Sequence, residues 1–168
     1  MKTLPSLLML AACAAPLGFA CAASLEAGPP VMFQSNVART QEASCSPRVI
    51  ASAQKGNARA QAQLGFMHSY GKCVVQNYGV AIYWYVRSAE QGHPVGQHLL
   101  GLAYDKGHGV LTDHIEAHKW LNLAAAGSSG AEHEDNLRLR DAAANKLTKD
   151  QLAEAMYRAR VWVPKRER

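Results

Sequence analysis

Apolar and small residues recur along this chain at helical spacing, and they do so twice. Ala81, Trp84, Tyr85, Ser88 and Ala89 fall at i, i+3, i+4, i+7 and i+8, and Ala117, Trp120, Leu121, Ala124 and Ala125 repeat the pattern. Each set predicts a helix with one buried stripe. A shorter stripe precedes each, through Ala60, Leu64 and Met67 and through Gly96, Leu100 and Ala103. Between the paired stripes lie the glycine-bearing turns YGKCVVQN and DKGHGVLTD, and Gly92 separates one pair from the next. The pattern therefore predicts two helical hairpins in tandem. Gly65 and Gly101, each beside a stripe leucine, cost about 1 kcal/mol of helix propensity relative to alanine, which close approach of a neighbouring helix would offset.

Sliding the chain against itself by 36 residues makes the repeat explicit: Leu64 falls on Leu100, Gly65 on Gly101, Val74 on Val110, Ala81 on Ala117, Trp84 on Trp120 and Ala89 on Ala125. Going backwards, Ser88, Ala89 and Gly92 fall on Ser52, Ala53 and Gly56, the second half of an earlier unit. A lone hairpin cannot bury its stripe, so stacked hairpins are expected. The predicted fold is all-α: a short α-solenoid of stacked antiparallel helical hairpins over residues 45–163, with a half repeat at 46–56, repeats at 57–92 and 93–128, and a C-terminal capping hairpin at 131–163. In that last segment Leu137, Leu139, Ala142 and Ala143 form one stripe, and Leu152, Ala155, Met156, Ala159 and Val163 another. Thr148 and Gln151 predict a capping box between them.

The order LG, then GxGV, then A, W and paired small residues before glycine resembles the Sel-one-like repeat (SLR), a relative of the tetratricopeptide repeat. Leu64, Gly65, Gly71, Val74, Ala81, Trp84, Tyr85 and Ala89 carry the match in the first unit, with Leu100, Gly101, Tyr104, Gly107, Gly109, Val110, Ala117, Trp120, Ala124 and Ala125 in the second. The terminal KLTKDQLAEAMYRARVW is similar to the tail that closes many bacterial members. Two departures stand out: His68 replaces the family's tyrosine, and Cys73 replaces the second glycine of GxGV.

A solenoid of this size offers one modest concave face, built from the first helix of each hairpin. Gln63, Phe66, Leu99, Leu102 and Lys106 lie off the main stripe on those helices and are the candidate partner-binding positions; Phe66 and Leu102 are repeat-equivalent. The same up-down topology brings the start of the half-repeat helix to the end that holds the first turn. Cys45 and Cys73 meet there as an expected disulfide, two free thiols being the alternative.

The N-terminus changes the setting. Lys2, an apolar stretch from Leu4 to Ala20 and the small residues that follow read as a cleaved export signal over residues 1–22. A lipid-attachment reading at Leu10-Ala11-Ala12-Cys13 competes, and Cys21 is a second candidate. Residues 23–44, with Pro29 and Pro30, read as a flexible lead, and 164–168 as a basic tail. The periplasm or the exterior is the expected location, with membrane attachment only if the chain is lipidated. Signal removal leaves Cys45 and Cys73 of the 4 cysteines, in an oxidising compartment. With 168 residues, 48% hydrophobic and 18% charged, the chain has room for one core and is too apolar to stay unfolded. Its net charge of +5 gathers partly in Arg138, Arg140, Arg158, Arg160, Lys165, Arg166 and Arg168. Export argues against nucleic acid, leaving a solvated surface or attraction to acidic envelope components.

One motif suggests catalysis at first sight. HIEAH, residues 114–118, has the histidine spacing of zinc proteases, but its glutamate sits two positions after the first histidine instead of one, about 100° further round the helix. The expected reading is a solvated helix start capped by Asp113. No nucleophile elbow or phosphate loop occurs, so neither an enzyme nor a cofactor is expected. The function anticipated is an exported interaction scaffold or adaptor with an unidentified envelope protein partner. A β-lactam- or glycan-binding cell-wall protein with weak hydrolase activity, suggested by cysteine-containing exported members of the family, and a purely structural envelope protein are the alternatives.

Overall fold

A computed structural model describes residues 47–165. They form seven helices: α1 (Pro47–Gln54), α2 (Ala58–Tyr70), α3 (Tyr78–Glu90), α4 (Pro94–Lys106), α5 (His114–Gly127), α6 (Gly130–Ala144) and α7 (Lys149–Val161). The boundaries follow local chemistry, repeated one period apart. Asn77 and Asp113 are equivalent N-caps: the Asn77 side chain accepts from Val80 N–H, and Asp113 from Ile115 and Glu116 N–H. At the other end Gly71 and Gly107 terminate α2 and α4 in the left-handed region, at φ 65° and 71°. The capping box at Thr148 and Gln151 is present.

Consecutive helices pack side by side, α2 with α3 and α4 with α5 as the two hairpins, while α2 also touches α4. That contact puts the first helices in one layer and the second helices in another. The glycine expectation holds: a Cβ on Gly65 would lie 2.6 Å from the Tyr85 ring, and one on Gly101 2.8 Å from Leu121 Cγ. Each hairpin is closed at this point by the absent side chain.

Neighbouring units are stitched by a buried polar bond that recurs with the repeat. Gln61 Nε2 donates to Ala53 O at 3.2 Å, and Gln97 Nε2 to Ala89 O at 3.4 Å. One period later His133 Nδ1 lies 2.8 Å from Ala125 O, the ring nitrogen donating. The third unit therefore keeps the repeat geometry where its LG pair is lost. Asn136, at the position of Leu64 and Leu100, is likewise buried, and bonds His98 at 2.6 Å and Ser128 Oγ at 3.1 Å. A polar pair has replaced the leucine contact.

Both α6 and α7 close the stack by packing on α5. Beyond α7 the chain crosses back over the second-helix layer. Trp162 meets the Trp120 ring edge-on at 5.9 Å, and Lys165 donates its N–H to Glu90 O at 2.7 Å and pairs with the Glu90 carboxylate. Two expectations need correction. Met156 and Val163 are 56% and 71% exposed, because α7 is the outermost helix and is buried mainly through Ala155 and Ala159. Trp84 is only partly buried, since among the described residues nothing equivalent to Trp162 crosses it. The first helices of the two repeats start at Ala58 and Pro94, with Asn57 and His93 at their N-cap positions. Much of the C-terminal basic charge is matched internally: Arg138 with Asp135, Arg140 with Asp141, Arg158 with Glu116 and Glu154. The expected export signal, lead and Cys45 lie outside the described residues.

Candidate functional site

Because α2 and α4 run side by side, the five positions expected to meet a partner share one face. Gln63, Phe66 and Leu99 line a hollow of about 380 Å³ together with Arg59, His93 and Val95. Leu99 also borders a smaller hollow of about 70 Å³, which Leu102, Lys106, Tyr70, Tyr78 and His108 complete. Leu99 is the shared ridge. Phe66 and Tyr70 are neighbours on α2, ring centroids 4.4 Å apart, with the Lys72 ammonium 5.2 Å from the Phe66 ring. Across the repeat boundary Tyr78 stacks on His108 at 5.0 Å. The face is thus apolar and aromatic along its centre and cationic at Arg59 and Lys106.

Sequence reasoning missed Arg59 and His93. His93 stands where Asn57 caps the preceding repeat, yet it makes no side-chain cap bond, and its Nδ1 is buried without a partner among the described residues. Burial, with Arg59 adding to it, holds the His93 pKa below its ordinary value. The legible signal was the 36-residue alignment itself, in which His93 breaks an asparagine position.

The HIEAH segment opens α5 as expected, with Asp113 capping it, but it is not a solvated site. His114 Nδ1 lies 3.2 Å from the Asp105 carboxylate, while His118 is 4% exposed between α5 and α6, its Nδ1 without a partner among the described residues. The two rings turn to different surroundings. Among the described residues no group of three or more His, Cys, Asp or Glu side chains is placed to hold a metal. The His118 pKa is lowered chiefly by burial, then by Arg140, with Asp141 acting in the opposite sense. A lowered folded-state pKa means the unfolded chain binds the proton more readily, so stability falls as pH drops below the ordinary value of about 6.5. The expected result is a unfolding midpoint in urea that declines from pH 7 to pH 5 less steeply in His118→Gln than in the unsubstituted chain. Parallel declines would show that His118 does not carry the effect.

Two further groups are structural by their surroundings. Tyr85, 4% exposed, has its hydroxyl pKa pushed up to about 12 by burial, so it stays protonated. Cys73 adopts φ 66°, the left-handed conformation that Gly109 takes at φ 80° one period later.

Stacked antiparallel helical hairpins with a groove along the first-helix layer define a protein of the helical-repeat solenoid class. The profile of the Sel1 repeat matches residues 58–93 and 94–129, and the chain belongs to the Sel1 repeat family. Among solved structures it is similar to a Sel1 repeat protein from Oxalobacter formigenes, at 38% identity and TM-score 0.50, covering 55% of this chain and 68% of that one. It is also similar to a protective antigen present in uropathogenic Escherichia coli strains, which displays an SLR fold, at 30% identity and TM-score 0.63 over 68% of this chain. It spans only 24% of that antigen. No curated protein sequence matches the chain. Sel1 repeat proteins are generally protein-interaction scaffolds.

Proposed function

We propose that the chain is exported to the cell envelope and acts there as a non-catalytic adaptor, taking a segment of a protein partner along the face formed by α2 and α4. The observation that carries this reading is the assembly of Phe66, Leu99 and Leu102 into one partly exposed apolar ridge, bordered by Gln63 and Lys106. A groove of this kind suits a partner segment that buries apolar side chains along its length. Export rests on the N-terminal sequence pattern alone. A bridge between Cys45 and Cys73 belongs to the same reading, because α1 begins at the end of the stack where Cys73 lies.

The test places a photoactivatable side chain at Gln63 and compares the crosslinked products in cells. Phe66→Asp with Leu102→Asp should weaken capture of the partner about tenfold or more, as expected for buried anchors at an interface centre, with unchanged far-ultraviolet circular dichroism. Equal capture by the folded double variant would exclude this face as the binding surface. Fractionation of the same cells tests export separately.

A further inference from the structure

The two most exposed large apolar side chains among the described residues are Val75, at 87%, and Leu111, at 91%. They are repeat-equivalent, one in each hairpin turn, and neither joins any core cluster. Two such residues at matching positions are presented together, since Gly109 of one turn lies against Tyr78 at the close of the other. The turns at the opposite end of the stack are polar instead, Lys55-Gly56-Asn57 and Gln91-Gly92-His93.

Charge at the Val75 and Leu111 end has one prevailing sign. Lys72, Lys106 and Lys149 are exposed there and form no ion pair among the described residues. Two of the local carboxylates are engaged internally: Asp105 binds Lys146 at 2.6 Å and His114, and Asp113 caps α5. Asp150, in the first turn of α7, is an exposed exception.

From these two observations we infer that the turn-bearing end of the solenoid is a membrane-facing surface, which seats Val75 and Leu111 at the headgroup boundary of an anionic bilayer while the lysines meet lipid phosphates. Protruding apolar side chains ringed by lysines combine the two attractions that hold peripheral proteins on anionic lipid. The α2 and α4 groove then stands perpendicular to the bilayer, open to a partner. This orientation is independent of the groove's occupant.

The protein as recovered from producing cells, with whatever processing it undergoes, would be sedimented with mixed phosphatidylglycerol and phosphatidylcholine vesicles and with phosphatidylcholine alone. Binding is expected on the anionic vesicles, weakening with added salt, and about tenfold weaker for Val75→Ser with Leu111→Ser. Lys72→Glu with Lys149→Glu should lower it similarly. Both pairs lie in exposed positions, so the fold is retained, and circular dichroism verifies it. Three results would each overturn the inference: no preference for anionic vesicles, binding unchanged by both pairs, or loss in the Val75 and Leu111 variant of a protein crosslink without loss of vesicle binding. The groove crosslink at Gln63 serves as the control that separates this failure from failure of the adaptor reading.

Discussion

Trp120→Ala is expected to cost about 3–5 kcal/mol of folding stability, the range for truncating a buried tryptophan, while Trp84→Ala, the equivalent change one repeat earlier, costs roughly 1–2 kcal/mol. Sequence alone gives no reason for the difference. Trp120 is 6% exposed and lies in the cluster with Leu100, Tyr85 and Ala89, closed over by Trp162 from the chain's return segment. Trp84 rests against the cluster of Leu64 and Met67 but keeps its outer face toward Tyr83 and the Arg87 guanidinium, 5.1 Å from its ring. Urea unfolding followed by circular dichroism would measure both. If Trp162 is the cause, Trp162→Ala should narrow the gap, because removing the lid first leaves less for Trp120→Ala to lose. Equal losses at the two tryptophans would show that the return segment adds nothing to the core.

What the chain reveals of itself before folding follows from how each contact is encoded. The hairpins were legible because their contacts are local and repeated: small residues at one face of each second helix, glycines at Gly65 and Gly101 where Tyr85 and Leu121 come close, and caps at Asn77 and Asp113. The groove was legible for the same reason, since a position on a first helix predicts its equivalent one period later. Where the repeat decays, the signal changes chemistry while the geometry stays. Asn136 and His133 hold the third unit in register through hydrogen bonds at positions that carry leucine and glutamine in the two preceding units. Long-range closure was not legible at all. Trp162 over Trp120, Lys165 on Glu90 and the burial of His118 under α6 depend on where α6 and α7 come to rest against α5. No short-range pattern specifies that.

Cys73 combines two demands that the sequence presented separately, and this gives the second large expected effect. A bridge to Cys45 would close a loop containing both α1 and α2, worth about 3–4 kcal/mol in the chain-entropy account. The same residue holds φ 66° where the next repeat has a glycine, a conformation that costs a side-chain-bearing residue about 1–2 kcal/mol. Stability should therefore fall in a fixed order. The oxidised chain comes first, Cys45→Ala with Cys73→Gly second, and Cys45→Ala alone third, because only the last keeps the strained backbone without the bond. Thermal unfolding of the three proteins, with intact mass after alkylation to count free thiols, would test the order. Alkylation of both cysteines without reductant would refute the bridge, and a double variant no more stable than the single would refute the strain. If both hold, cysteine replaced glycine here at a backbone cost smaller than the bond returns, and the bond fixes the start of α1 beside Val75.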